Sequence, residues 1–325
     1  MTGSVAYDTI MLFPGRFREH ILPERTHMLN VSFQVQELQQ RRGGTAANIC
    51  YTMALLGEHP LLCAGVGRAD FGAYSRALEG VGVDTSAALR CDDIGTATCY
   101  ITTDLDDNQI TAFFPGAMSR ASAVDLTTLP DVSDVVVAAD DPEAMARHIA
   151  DTAALGARLT FAPAQQIPSM TDEVLRAGID AAALVVGNDY EIEMISKRTG
   201  IALDGARGRS TFAVTHGSAG SQLYTSDGVI AIPPAPVRDV VDPTGAGDAY
   251  LAGLLTGVRA GCSLHIAGRL GSLVAAYVVE ARGPQGHTFT IEDLRERYRQ
   301  AFAEDLPRGA LNSLTTTVGP SAGVQ

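Results

Sequence analysis

The chain has 325 residues, of which 46% are hydrophobic and 19% are charged, a balance typical of folded globular proteins. Its net charge of −13 at pH 7 argues against a nucleic-acid-binding protein, which normally presents a basic face. Of the 24 Lys and Arg residues, only Lys197 is a lysine, and no Gly-Lys-Ser/Thr sequence is present. The chain therefore lacks a Walker-type P-loop, and Schiff-base chemistry is disfavoured.

The expected location is the cytoplasm. The five cysteines include no C-x-x-C pair, which indicates free thiols in a reducing compartment. No signal peptide is visible, and no apolar run reaches the roughly 18 residues of a membrane span. We expect neither a membrane nor a nucleic acid as a partner.

From about residue 60 onward, short apolar runs alternate with helical patterns. The predicted strands are residues 61–66, 135–139, 158–162, 183–187 and 211–215. The predicted helices are residues 70–80, 142–156, 189–198, 247–261 and 264–283. Asp141 and Pro142 are the N-cap and first residue expected of the second helix. This alternation predicts an α/β fold with a central, mostly parallel sheet flanked by helices.

Two segments outside this pattern are predicted to form a small β lid. They are about residues 9–42, where residues 28–33 alternate in part, and about residues 94–114. In the second segment, residues 96–103 and 109–114 read as strands separated by a polar turn. Such a lid would cover a site on the main sheet.

A heptad, Asp-Pro-Thr-Gly-Ala-Gly-Asp at residues 242–248, stands directly before an apolar helical segment. The first amides of a helix lack partners within it and lie at the positive end of its dipole. Those of Gly245, Ala246 and Gly247 are therefore predicted to bind a phosphoryl group. Because the charge of Asp248 would repel phosphate, we expect Asp248 to accept the proton of an acceptor hydroxyl as catalytic base.

This heptad resembles the second signature of the ribokinase-like (PfkB) carbohydrate kinase family. Residues 43–57 resemble the first signature, and residues 188–191, Asn-Asp-Tyr-Glu, resemble the family's Asn-x-x-Glu element. The segments at residues 3–8, 13–17, 22–24, 42–44 and 114–118 are similar to the bacterial adenosine kinases typified by mycobacteria. The resemblance implies a ribokinase-like fold and transfer of the γ-phosphate of ATP to the 5′-hydroxyl of adenosine, giving AMP.

The resemblance also implies substrate contacts. The residues expected at the ribose are Ser4, Asp8, Ser32, Gly43, Gly44 and Asn48. Asp8, interpreted as following a strand, suits a vicinal diol because a carboxylate accepts two hydrogen bonds. Phe113 is expected to stack on the base, with ordinary lid packing as the alternative. Gln165 and Gln166 would read the adenine edge, which requires a donor and an acceptor.

The expected nucleotide contacts lie at the ends of two predicted strands and in the heptad. They are Asn188, Thr215, Gly217, Gly220, Gly245 and Gly247. Glu191 is compatible with phosphates only if a cation intervenes, which implies Mg²⁺ held through water; a solvated helix face is the alternative. ATP and Mg²⁺ are thus the expected cofactors, with K⁺ as a further candidate.

Two departures from the adenosine kinase pattern leave the substrate open. Residues 162–164 are Ala-Pro-Ala where the subgroup has Asp-Pro-Ser, and Cys99 aligns with its second lid aromatic, for which Tyr100 is a candidate substitute. A kinase for inosine, guanosine, cytidine or a nucleoside analogue is one alternative, and a ribokinase-type sugar kinase is another. A nucleoside-binding protein without catalysis is disfavoured because Asp248, Asn188 and Glu191 are all present.

The predicted organisation is one kinase domain over residues 1–312, followed by a disordered tail over residues 313–325 that carries no charge. The strand edges and outer surface of a β lid need covering. Family resemblance implies that the lids of two subunits meet in a homodimer.

Overall fold

The computed structural model describes residues 1–21, 30–201, 203 and 210–311. Its strands are β1 (Ala6–Leu12), β2 (Glu37–Gly43), β3 (Gly65–Gly67), β4 (Leu89–Cys91), β5 (Ala97–Thr103), β6 (Gln109–Phe114), β7 (Asp134–Ala138), β8 (Arg158–Ala162), β9 (Ala182–Asn188), β10 (Thr211–Thr215), β11 (Ser221–Thr225) and β12 (Gly228–Ile232). Its α-helices are α1 (Phe17–His20), α2 (Thr45–Leu55), α3 (Gly72–Glu79), α4 (Pro142–Leu155), α5 (Asp172–Ala181), α6 (Asp189–Thr199), α7 (Ala246–Arg259), α8 (Leu264–Val279) and α9 (Ile291–Phe302). Most of the predicted helices and strands are observed, and most begin and end within a few residues of the predicted positions.

A six-stranded sheet with the order β12-β11-β10-β9-β8-β7 forms the centre of the molecule. Strands β7 to β10 are parallel, and β11 and β12 continue the sheet as antiparallel strands. Helices α4, α5 and α6 connect the successive parallel strands. The predicted α/β class with a mostly parallel sheet is confirmed. Because parallel strands end at the same edge, the segments that follow β7 to β10 meet there.

Both faces of this sheet are covered by helices. Val135 and Val137 of β7 pack in a cluster with apolar residues of α4, α5 and α6. Their neighbours Val136 and Ala138 point the other way, into a cluster with residues of α2 and α7. Burial on both faces explains why the strands read as continuous apolar runs. It also holds α2 and α7 on one face of the sheet.

The predicted start of α4 is confirmed. The Asp141 carboxylate accepts hydrogen bonds from the amides of Glu143, at 3.0 Å, and Ala144, at 3.3 Å, and Pro142 is the first helical residue. The predicted strand at residues 61–66 is largely wrong. There, Leu61 forms an isolated bridge to Asp84 instead of a continuous ladder.

The lid is a four-stranded sheet with the order β2-β1-β5-β6. Its strands β5 and β6 lie where residues 96–103 and 109–114 were predicted. The Asp104 carboxylate organises the turn between them by accepting hydrogen bonds from the amides of Asp106 and Asn108, each at 2.9 Å. The lid is a small sheet separate from the six-stranded sheet.

The prediction that residues 28–33 alternate as a strand is wrong for residues 30–33, since the lid strand of this region is Glu37–Gly43. Phe33 instead packs in an aromatic cluster, with ring centroids 4.8 Å from Phe13 and 5.0 Å from Phe17. The apolar spacing here thus reflects an irregular loop. Residues 28 and 29, the segment 22–24 and the predicted tail at residues 313–325 lie outside the described residues.

The described helices include none that is both long and apolar enough to cross a membrane. All five cysteines carry free thiols, as predicted.

Candidate active site

A cavity of about 340 Å³ lies where the carboxyl ends of the parallel strands meet the beginnings of α2, α6 and α7. The predicted site residues that line it are Asp8, Gly44, Asn48, Gln165, Asn188, Glu191, Thr215, Gly245, Gly247 and Asp248. Its other lining residues are Thr45, Ile49, Ala138, Ala162, Ala164, Val186, Gly187, Thr244, Leu251 and Pro284. Segments far apart in sequence thus converge on one site.

A second cavity, of about 420 Å³, lies at the opposite edge of the sheet. Three of its charged side chains pair with one another: Asp134 binds Arg158 at 2.6 Å and Arg259 at 2.7 Å. These groups are already neutralised by the protein itself. The carboxyl edge, where open α/β sheets bind their ligands, is therefore the candidate site.

The heptad forms the turn that begins α7. Asp242 accepts a hydrogen bond from the amide of Thr244 at 3.0 Å, and Gly245 is the helix N-cap with φ of +83°. A Cβ added to Gly245 would lie 2.5 Å from the Cβ of Pro284, so both space and backbone conformation require glycine there.

The three amides predicted to bind phosphate are not equivalent. Within the described residues, those of Gly245 and Gly247 have no hydrogen-bond acceptor, whereas the amide of Ala246 donates to the carbonyl of Pro243 at 3.1 Å. Gly245 and Gly247 are therefore better placed than Ala246 to bind an anion.

Asp248 is the third residue of α7, and its partly buried carboxylate lines the cavity. Asn48 of α2 donates a hydrogen bond from Nδ2 to Oδ2 of Asp248 at 2.8 Å. Desolvation raises the pKa of Asp248 to about 7; the bond from Asn48 opposes the rise, and the charge of Glu191 adds to it. A carboxyl group with a pKa near neutrality suits proton transfer at physiological pH.

The end of the cavity predicted to hold the sugar is built by β1 and the turn before α2. Asp8 is not beyond a strand, as predicted, but within β1, where its partner in β2 is Arg41. Burial raises the pKa of Asp8, and the charge of Arg41 opposes this. A Cβ on Gly43 would lie 2.6 Å from Oδ2 of Asp8, so glycine leaves room for that carboxylate. Gly44 has φ of +93°.

Ser4, another predicted sugar contact, does not line the cavity. Its buried hydroxyl accepts a hydrogen bond from the first amide of α2, that of Thr45, at 3.0 Å. Ser4 therefore holds the turn at the start of α2.

The predicted nucleotide residues Asn188 and Thr215 are side by side, because β9 and β10 pair in that register. Asn188 and Glu191 form a capping box at the start of α6, in which each side chain binds the other's backbone amide at 2.8 Å. Gly217 and Gly220 lie in the turn after β10 and do not line the cavity.

The segment after β8 forms the wall where a base is predicted. Ala162, Ala164 and Gln165 line the cavity, whereas Gln166 does not. Ala164 has φ of +43°, an uncommon conformation for a residue other than glycine. The two alanine side chains have no hydrogen-bonding group, so among these three residues only Gln165 offers a polar side chain to the cavity.

The lid residues Phe113 and Ser32 do not line the cavity either. Phe113, half exposed, pairs with Cys99, which pairs with Asp8, so all three share the face of the lid that contains Asp8. Tyr100 lies on the opposite face because it adjoins Cys99 in the same strand. The proposal that Tyr100 substitutes for the lid aromatic at Cys99 is therefore wrong.

The sequence analysis did not identify Tyr74 and Gln285, which contact each other and, through Gln285, the cavity residue Asn48. Gln285, in the turn after α8, donates a hydrogen bond to Oδ1 of Asn48 at 2.9 Å and another to the hydroxyl of Tyr74 in α3. A Gly-Pro-Gln-Gly turn at residues 283–286 was the only local signal, and it does not indicate a function.

The model of the pfkB family carbohydrate kinases matches residues 1–290. The chain belongs to the PfkB family of carbohydrate kinases. The family prediction made from the heptad and residues 43–57 is confirmed.

Relatives of this PfkB family kinase include a protein named nucleoside kinase from Methanothermobacter thermautotrophicus, 32% identical over 79% of this chain and 84% of its own length. The structure of Burkholderia thailandensis nucleoside kinase in complex with inosine is 35% identical, with a TM-score of 0.83 over 94% of this chain and 98% of that one. Another structure of that enzyme is described as a complex with ADP-inosine. The Methanocaldococcus jannaschii nucleoside kinase, an archaeal member of the ribokinase family, is 30% identical with a TM-score of 0.83 over 92% and 97% of the two chains.

These similarities establish the ribokinase-like fold and a kinase of an ATP-using family.

Proposed function

We propose that this kinase transfers the γ-phosphoryl group of ATP to the 5′-hydroxyl of a nucleoside. The position of Asp248 carries the proposal. Its carboxylate lines one cavity together with Asp8 and Asn48, on the predicted sugar side, and with the free amides of Gly245 and Gly247. The nucleoside kinases that resemble the chain over most of its length support a substrate that carries a base.

In the proposed reaction, Asp248 accepts the proton of the 5′-hydroxyl while the hydroxyl oxygen forms a bond to the γ-phosphorus. The bond between that phosphorus and the bridging oxygen of ADP breaks, and ADP leaves with the electron pair. The amides of Gly245 and Gly247 donate hydrogen bonds to the phosphoryl oxygens, whose charge is spread in a loose transition state. Positioning and charge stabilisation supply most of the rate enhancement.

Glu191 is the candidate for holding Mg²⁺ through water. One of its carboxylate oxygens, Oε2, accepts a hydrogen bond from the amide of Asn188, and the residue lines the cavity. Burial raises the pKa of Glu191, and a nearby cation would restore its charged form. The residue therefore fits this role. When bound, Mg²⁺ would supply positive charge that neutralises the phosphate oxygens.

Adenosine is the proposed acceptor, with inosine as a second candidate. The amide of Gln165 can both donate to and accept from a purine edge, which supports a purine. The inosine complex of the Burkholderia enzyme favours inosine. Ala162 and Ala164 add no group that would distinguish an amino from an oxo substituent, so we expect the two nucleosides to differ modestly.

The test is a steady-state comparison of adenosine, inosine, guanosine, cytidine and ribose with ATP as donor. We expect kcat/KM to be highest for purine nucleosides and lowest for ribose, by about tenfold or more, because a missing base forfeits buried contacts. Ribose equal to every nucleoside would overturn the nucleoside proposal and leave a sugar kinase.

A further inference from the structure

A continuous chain of hydrogen bonds connects the turn before α2 to Asp248. The hydroxyl of Tyr74 donates to the carbonyl of Gly43 at 2.8 Å. The Nε2 group of Gln285 donates both to the hydroxyl of Tyr74 and to Oδ1 of Asn48. Nδ2 of Asn48 then donates to Oδ2 of Asp248 at 2.8 Å. We call Tyr74, Gln285 and Asn48 the relay.

The donor and acceptor of every hydrogen bond in the relay are fixed by the bond between Tyr74 and the carbonyl of Gly43. The carbonyl of Gly43 can only accept, so the single hydroxyl proton of Tyr74 is used there. The Tyr74 oxygen must then accept, which obliges Gln285 to present its NH₂ group.

The second proton of the same NH₂ group points to Asn48, which must therefore present its carbonyl oxygen to Gln285. Asn48 is left with its own NH₂ group facing Asp248. An amide has nearly the same shape in either orientation, so only its hydrogen-bond partners decide which end faces the carboxylate.

Tyr74 and Asn48 are buried and Gln285 is partly buried, which makes the polarity of the relay costly to reverse. Tyr74 is 1% exposed and Asn48 is 5% exposed. If Asn48 turned over, its carbonyl oxygen would face the carboxylate of Asp248, and two acceptors would be opposed away from water. The ionised carboxylate of Asp248 itself favours the NH₂ group of Asn48, and Gln285 adds to that preference by donating to the carbonyl oxygen at the other end of the amide.

We propose that Gln285 and Tyr74 are positioning residues that hold the Asn48 amide with its NH₂ group toward Asp248. This engages Oδ2 and leaves the other carboxylate oxygen of Asp248 for the acceptor hydroxyl. The inference rests on the proposed role of Asp248 as the base.

Other charged groups also act on Asp248, so its response to pH must be compared among variants. Glu191 of α6 raises its pKa, and Asp8 of β1 lines the same cavity. Arg41 of β2 and Asp242 of the heptad pair with each other at 3.2 Å. None of these groups is changed by substitutions in the relay.

The experiment measures single-turnover phosphoryl transfer from pH 5.5 to 8.5 at saturating Mg-ATP and nucleoside, so that the chemical step is isolated. Gln285→Leu removes both donors while keeping a side chain of similar size. We expect its rate to fall about tenfold or more, and the pH at which the rate is half-maximal to rise by about one unit, since a charge-assisted bond to Asp248 is weakened.

Tyr74→Phe keeps the buried ring and removes only the hydroxyl that orients Gln285, so it decides the matter if Gln285→Leu does not fold. We expect its rate to fall and its pH of half-maximal rate to rise, both by less than in Gln285→Leu. Tyr51→Phe is the matched control, because Tyr51 donates to the nearby carbonyl of His287 at 3.0 Å and lies outside the relay. Its pH profile should match that of the wild type.

A wild-type rate and pH profile in folded Gln285→Leu, or in Tyr74→Phe if only that variant folds, would overturn the relay. An equal shift in Tyr51→Phe would also overturn it, because the loss of a tyrosine hydroxyl outside the relay would then have the same effect. Asp248→Asn separates the two proposals. If that variant keeps normal turnover, the base assignment is wrong; if it is inactive while the relay variants behave as wild type, only the relay is wrong.

Discussion

Arg41 of the lid strand β2 forms an ion pair with Asp242, the first residue of the heptad, with 3.2 Å between Nη1 and Oδ2. Both side chains are partly buried, and Oδ2 of Asp242 also accepts from the amide of Gly283 at 3.0 Å. The pair joins the lid to the turn that begins α7. The lid thereby gains a direct electrostatic contact with the predicted phosphate site.

Loss of this ion pair should weaken nucleoside binding more than turnover. In Arg41→Gln, we expect the KM for the nucleoside to rise about two- to fivefold, the range of a partly exposed pair, with kcat changed less. Arg68→Gln is the control, because Arg68 forms a more exposed pair with Asp92 away from the cavity. Equal kinetics in the Arg41 and Arg68 variants would show that the contact has no role in binding.

Replacement of the base should abolish turnover without abolishing ATP binding. Asp248→Asn keeps the size of the side chain and can accept from Asn48, but it cannot take a proton from the hydroxyl. We expect kcat to fall on the order of 10²-fold or more. Calorimetric titration with ATP should give a dissociation constant close to that of the wild type; turnover within a fewfold of normal would refute the assignment.

The heptad and its helix could be predicted because their chemistry is local in sequence. Gly245, Gly247 and Asp248 are neighbours, and the turn that they form follows from glycine conformation and helix polarity alone. The apolar strands β7 to β10 could be predicted for the same reason. Strands buried on both faces are continuous apolar runs, whatever the rest of the chain does.

Contacts between distant segments could not be predicted in this way. Asn48 and Gln285 are separated by 237 positions, and no periodic pattern connects them. The error at Tyr100 has a different cause. Adjacent residues of a strand point to opposite faces, so the predicted strand alone already places Tyr100 on the other face from Cys99. Ser4 was misassigned for a third reason. A serine near a sugar site can bind the sugar or hold a backbone turn, and its sequence position does not distinguish the two roles.

Activity should decline on the acid side of neutrality. The pKa of Asp248 is raised to about 7, from an ordinary value of 3.8, chiefly because the carboxyl is desolvated. The base acts only when deprotonated, so kcat/KM for the nucleoside should fall about tenfold per pH unit below that pKa. A profile at saturating Mg-ATP that stays flat down to pH 5 would contradict the raised pKa or the role of Asp248.

The metal requirement should depend on Glu191. Because its negative charge helps only through a cation, Glu191→Gln should raise the Mg²⁺ concentration needed for half-maximal rate by several-fold, with little change in nucleoside affinity. Glu193→Gln is the matched control, since Glu193 lies on the same helix and pairs with Lys197 in solvent. Superimposable Mg²⁺ titrations for wild type and Glu191→Gln would remove Glu191 from the site.

The outer face of the lid is the proposed surface for a homodimer. Leu38, Tyr100, Ile110 and Phe114 are 65%, 45%, 44% and 45% exposed. The strand registers place all four on the face opposite Asp8, since Leu38 pairs with Met11, Met11 with Thr102, and Thr102 with Ile110. An apolar face of this kind is normally covered by a partner.

We therefore expect a dimer at micromolar concentration by light scattering, and a monomer when Leu38 and Phe114 are both replaced by Asp. Two buried carboxylates in each lid would be costly at an apolar interface. Leu105→Asp is the control, because Leu105 is 60% exposed in the turn between β5 and β6 and lies outside the paired strands. It should leave the dimer intact. A monomeric wild type would refute the lid interface, and a dimeric Leu38→Asp/Phe114→Asp variant would place the interface elsewhere.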